Sequence, residues 1–323
     1  MPAATYDAAT LRRLDRLIWT LVAAVAAIVL ASPLYSGFYV VWTSFGAPVA
    51  ACLTLGAGAW FYRHWRRDPQ LASGLESTAQ LIGFAAVGAP LSYLATAAGA
   101  VIPLQDHVFD AMDRAMGFDW MALLRWFHDA PVTFGAFRLI YGSLLPQMSL
   151  AVLCLAFTAR FAWLRTIMLA FIVTTLVTIA LSAVLPAAGV WLHYGLSEAD
   201  SRLVPVVSTV WPVFTGLRDG SVRALVAAGA EGVITFPSLH AALAVILIAA
   251  LWPIRLLRWP ILAINTVMLA ATPIDGAHYL VDVIAGVVIA TACLFAAHAA
   301  VMRMGRAPDG VAAGKIPQLV AGE

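Results

Sequence analysis

Apolar runs close to twenty residues long recur along the chain, separated by short polar or basic breaks. That period matches neither an amphipathic surface helix nor an alternating strand. It is the length a helix needs to cross a bilayer. The runs cover about Leu17 to Ser32, Phe45 to Tyr62, Thr78 to Ile102, Thr133 to Phe157 and Thr166 to Trp191. They resume at Ser238 to Trp252, Ile261 to Pro273 and His278 to Met302. Several are short or interrupted, so the expectation is an all-α, polytopic transmembrane helical bundle of six to eight spans. The fourth run holds Arg138 and Pro146, and the proline is expected to kink it. The first run follows Arg12, Arg13 and Arg16 and has the outline of a signal peptide. With Pro33 at once and no small-residue cleavage site, a retained anchor is expected.

Composition sharpens this picture. The 323 residues are 62% hydrophobic and only 11% charged, about half the charge of a soluble domain. A net charge of +2, with no basic patch or aromatic RNA motif, argues against nucleic acid as a partner. Cys52, Cys154 and Cys293 lie inside apolar runs and read as small core residues, not disulfides or metal ligands. Arginines cluster at Arg12–Arg16, Arg63–Arg67, Arg160–Arg165, Arg255–Arg258 and Arg303–Arg306. By the positive-inside rule these ends face the cytoplasm, with both termini. Two long segments then lie outside. The first, 103–132, mixes acids, Trp and Phe as interfacial helices do; the second, 192–237, could cover a site. Three parts are expected: an N-terminal hairpin of about two spans over 1–76, a catalytic membrane unit over 77–306 and a disordered tail over 307–323.

Candidate chemistry sits at two places. Phe236-Pro237-Ser238-Leu239-His240 opens one apolar helix, and His278-Tyr279-Leu280-Val281-Asp282 opens the last. One out-and-back passage separates them, which returns both to the outer side. His278 and Asp282 are four apart, one turn on a helix face, so the carboxylate can orient the imidazole. Ionisable groups in spanning segments default to function. A helix starting near Ser238 offers N–H groups and a dipole to a phosphate oxyanion, with the serine hydroxyl added. His240 can deliver a proton to a leaving oxygen, and His278 can attack phosphorus. Asp106 and Asp110 are spaced like a metal pair but lack a matching ligand set, so no metal and no cofactor is expected.

These motifs resemble the second and third motifs of the type 2 phosphatidic acid phosphatase superfamily. The Leu before His240 resembles its inositolphosphotransferase branch, which contains the inositol phosphorylceramide synthases. The likeness covers roughly residues 100 to 300, including Asp113-Arg114-Ala115-Met116-Gly117-Phe118-Asp119-Trp120 and Arg138-Leu139-Ile140-Tyr141. It implies His278 as nucleophile, Asp282 as its orienting acid and His240 as general acid, without a metal. The superfamily's first motif, a Lys and an Arg-Pro, is absent, and Thr272 stands where an Arg usually precedes the third-motif His. Fewer cations suit a singly charged phosphodiester better than a terminal phosphate. Arg138 is the expected substitute cation, beside Tyr141, with Arg218 as a further candidate. Asp275 either binds a substrate hydroxyl or caps the last helix, and the cap is favoured.

The expected activity is transfer of a phosphorylated head group, inositol phosphate for this branch, from a phospholipid donor to a lipid acceptor. The alternatives are a lipid phosphatase acting on phosphatidic acid or a prenyl diphosphate, and a transporter or scaffold. The expected setting is a bacterial inner membrane with the site on the periplasmic side.

Overall fold

A computed structural model describes residues 8–196, 206–228 and 232–305. The expected tail with Lys315, and Arg202 of the second outer segment, lie outside these residues. The chain enters as α1 (Ala8–Ala31) and α2 (Trp42–His64), then α3 (Pro69–Ala98). Four helices follow: α4 (Asp106–Ala115), α5 (Trp120–Asp129), α6 (Pro131–Tyr141) and α7 (Leu144–Phe157). Then come α8 (Phe161–Val184), α9 (Val190–Tyr194) and α10 (Val206–Asp219). The last three are α11 (Leu239–Leu251), α12 (Arg258–Asp275) and α13 (Leu280–Gly305). The protein is an all-α, multi-pass membrane bundle. Helices α1, α2, α3, α8 and α13 are each long and apolar enough to span, and the bent pair of α6 and α7 makes a sixth.

Local sequence explains the helix starts. Asp68 accepts from Gln70 N and Leu71 N, with Pro69 at the first helical position, so α3 begins there and not at Thr78. It runs without a break through residues 76 and 77. Asp119 caps α5 by accepting from Ala122 N. The kink expected at Pro146 is elsewhere. The chain bends by 47° at Gly142–Ser143, between α6 and α7. Pro146 lies in the first turn of α7, where its missing N–H would have had no partner in the helix.

Helix α8 is the most buried of the candidate spans, and α1, α3, α7, α11 and α13 pack around it. Helix α1 presents Leu14, Ile18, Val22, Val25 and Val29 as its buried stripe. A two-residue parallel pairing, β1 (Tyr39–Val40) with β2 (Ala224–Leu225), ties the α1–α2 loop to the segment leading into α11. Helix α11 has thirteen residues, about 20 Å of rise, which is short of the ~30 Å apolar layer. It starts well inside the bundle, against α12 and α13. The three cysteines are unbridged.

Candidate active site

Helix α4 assembles the site. Its Asp106, Phe109, Asp110 and Asp113 share one face at three- and four-residue spacing. Asp106 accepts from Ala188 N (3.0 Å), Gly189 N (2.7 Å) and the Tyr279 hydroxyl (3.0 Å). Phe109 stacks on Phe236 of the Pro-Ser-Leu-His turn, with ring centres 4.5 Å apart. Asp113 accepts from Leu280 N (2.7 Å) and Val281 N (2.9 Å), which caps α13. Burial pushes the Asp113 carboxyl up, against the pull of those two bonds. Asp110 meets Arg114 (2.7 Å) and accepts from the Tyr194 hydroxyl. Burial and that hydrogen bond push the Tyr194 phenol up to about 12, so it stays a donor at neutral pH. The acids that looked like a metal pair thus serve as braces. Sequence reading missed Asp106 and Asp113 as site supports; the signal available was their place on one helical face.

Removing the Asp113 brace has a calculable cost. Asp113→Ala leaves two N–H groups at the start of α13 without an acceptor. Loss of a cap costs about 1 kcal/mol, and an orphaned buried donor about 1–3 kcal/mol. The variant is therefore expected to unfold about 2–3 kcal/mol more easily, as a lower midpoint in detergent melts, and to lose activity.

His278 precedes α13 rather than lying in it, so its meeting with Asp282 is not the helix-face contact expected. Asp282 sits in the first turn of α13 and reaches back. Its Oδ2 accepts from Tyr279 N (2.9 Å) and lies 3.2 Å from His278 Nδ1. Asp282 is wholly buried and the His278 side chain is 6% exposed. Nδ1 is held by the carboxylate, and the imidazole also bonds to the backbone of Thr235.

His240 lies in the first turn of α11. Its ring stacks on Tyr141, with centres 4.1 Å apart and planes 14° apart. Gly276 marks how close the parts come. A Cβ there would lie 2.5 Å from His278 Cδ2 and 2.6 Å from the Tyr141 hydroxyl. The Tyr141 hydroxyl and the His278 ring thus both border Gly276. Arg138, one turn before Tyr141, faces Asp275 (Nε to Oδ1, 3.7 Å). The Arg138 side chain is 41% exposed and Asp275 is 4% exposed, so the arginine forms the rim and the acid the floor.

Three expectations need correction. Asp275 does not cap α13, because Asp113 and Asp282 take its first N–H groups; it meets Arg138 instead. Ser238 is wholly buried, and its hydroxyl accepts from Ala241 N (3.4 Å) as the cap of α11, not as an open phosphate ligand. Arg218 is committed to the backbone. Its guanidinium donates to the carbonyls of Gly99, Ala100 and Ile102 at the end of α3.

The approach of α11 to α13 depends on Gly286. A Cβ at that position would sit 2.4 Å from the Ser238 carbonyl oxygen. Gly286→Ala must push the start of α11, and His240 with it, away from His278. A misplacement near 1 Å costs about 100-fold in rate, and overpacking costs about 1–3 kcal/mol. Turnover and the melting midpoint should both fall, turnover by far more than the lost stability explains.

A buried acid–histidine pair, a second histidine in a helix's first turn and a rim arginine come together inside an apolar helical bundle. Residues 107–296 match the PAP2 superfamily, and the chain belongs to it. Its members are generally phosphatases or phosphotransferases, so this is a membrane protein of that enzyme type acting on lipid substrates. No curated protein and no solved structure shows a significant match.

Proposed function

We propose that the protein is a lipid phosphotransferase of the inositolphosphotransferase type, acting through a phospho-histidine on the outer face of a bacterial inner membrane. The observation that carries the choice is the cation supply. Arg138 lies on α6 one turn from Tyr141, the ring that stacks on His240, and it already faces Asp275. Thr272, where the resemblance implies an arginine, is wholly buried and donates to its own helix at Met268 O. One partly neutralised guanidinium suits a phosphodiester with one negative charge. A terminal phosphate carries nearly two.

The chemistry follows from the placement. His278 Nε2 attacks phosphorus while Asp282 holds the Nδ1 proton and stabilises the positive imidazole. The bond from phosphorus to the donor's diacylglycerol oxygen breaks, and protonated His240 supplies that oxygen's proton. In the second half-reaction neutral His240 takes the proton of an acceptor hydroxyl. The acceptor oxygen attacks the phosphorus, and His278 leaves. Arg138 balances the phosphoryl charge at the rim, and Tyr141 fixes the ring plane of His240.

The test follows labelled phosphate. Purified protein receives phosphatidylinositol labelled in phosphorus, with ceramide as acceptor, and separately labelled phosphatidic acid. Label in a new lipid is the expected result. Label released as free phosphate from phosphatidic acid makes the protein a phosphatase and overturns transfer. Label in neither overturns both substrate assignments.

A further inference from the structure

A second polar site lies at the other end of the bundle. Arg165, in the second turn of α8, lies about 28 Å of helix from Val184 at the other end. At the Arg165 end, α1, α2 and α3 enclose a cleft of about 450 Å³ lined by Arg12, Asp15, Arg16, Trp19, Arg63 and Glu76. Arg12, Asp15, Arg16 and Trp19 fall on one face of α1 at three- and four-residue spacing.

The acids of the cleft already have partners inside the protein. Asp15 takes a bidentate grip from buried Arg165 (3.0 and 3.1 Å) and lies 3.8 Å from Arg63. Glu76 accepts from the Trp19 indole (2.6 Å) and meets Arg63 (3.3 Å). The pairs fix the cleft's walls and leave its charge unbalanced, with three lining guanidinium groups and buried Arg165 behind them against two carboxylates. Arg12 and Arg16 are exposed, and among the described residues neither guanidinium meets a carboxylate. They point one turn apart toward an open cleft, with a half-buried indole held upright beside them. Two forks at that spacing suit phosphate oxygens. An indole at the headgroup level suits the glycerol and upper chain of a lipid. Basic pockets between spanning helices hold anionic head groups in this way.

We propose that this cleft binds the phosphate of an anionic phospholipid, gripped by Arg12 and Arg16 and flanked by Trp19, on the membrane face opposite the histidine cluster. It does not depend on the reaction proposed above.

The test uses the full chain in vesicles of phosphatidylcholine with and without phosphatidylglycerol, followed by native mass spectrometry of retained lipid. The double variant Arg12→Gln/Arg16→Gln is compared with Arg66→Gln/Arg67→Gln, which removes equal charge outside the cleft. The wild type and the Arg66/Arg67 control should retain phosphatidylglycerol in preference to phosphatidylcholine. The Arg12/Arg16 variant should bind it about 30-fold more weakly, with an unchanged melting midpoint in pure phosphatidylcholine. A lower midpoint there would assign the loss to folding and overturn the site. Equal loss in both double variants would reduce the effect to bulk charge, and unchanged retention in the Arg12/Arg16 variant would empty the cleft; either overturns the proposal. A last arm adds inorganic phosphate. If it displaces the lipid and gives the same thermal shift, the ligand is soluble phosphate and the lipid assignment falls.

Discussion

His278→Ala is expected to abolish turnover, by about 10⁴-fold or more, while leaving the protein folded. The nucleophile's place in a covalent mechanism cannot be filled by water held at the same point, so the loss should approach that of a whole catalytic unit. The fold should tolerate the change. The backbone N–H of His278 donates to Pro273 O (3.1 Å) and is untouched by the substitution. Trp120, which anchors the same carbonyl through its indole (2.9 Å), also stays in place. The check has two readings: steady-state release of the donor's alcohol, and acid-labile label on the protein after rapid quenching. Wild type should show both and the variant neither, with matching melting midpoints. A folded variant that keeps its label would remove His278 from the nucleophile's position.

Asp282→Asn is expected to cost about 100- to 10,000-fold in kcat with little change in KM. Both contacts of the acid fall on one oxygen. Asp282 Oδ2 serves both Tyr279 N and His278 Nδ1. An asparagine carbonyl can keep the Tyr279 bond and so preserve the first turn of α13. It then presents an amide N–H₂, or nothing, to the imidazole. The ring is driven to the tautomer with its proton on Nε2, which cannot attack. Asp282→Ala should lose the turn as well, and should melt lower than the asparagine variant. Near-normal kcat in a stable asparagine variant would show that the carboxylate does not orient the ring.

The two motifs were legible because each is local. His240 two residues after Ser238, at the head of an apolar run, reads as a helix's first turn, and so it is. The four-residue spacing of His278 and Asp282 brought them together, though by a different geometry. The chain before α13 is not helical, and the acid reaches back as a first-turn residue does. Arg218 suggests a ligand by its charge. Only the folded chain shows three backbone carbonyls at the end of α3 within its reach.

Hydrophobic pattern alone determined that this chain is a helical membrane bundle, where most spans lie and that both histidine motifs open helices. Those features depend on interactions within a few residues, or on the bilayer, which acts on each segment separately. Tertiary structure decided the rest. Asp113 caps α13 across 167 positions of sequence, and Asp106 holds Tyr279 across 173. Whether an acid meets a bare N–H, a guanidinium or water depends on which helix packs beside it. That is fixed by side-chain fit, as at Gly286, and by the need to satisfy every buried polar group in a layer that offers no water. Neither condition leaves a periodic trace in one chain's sequence.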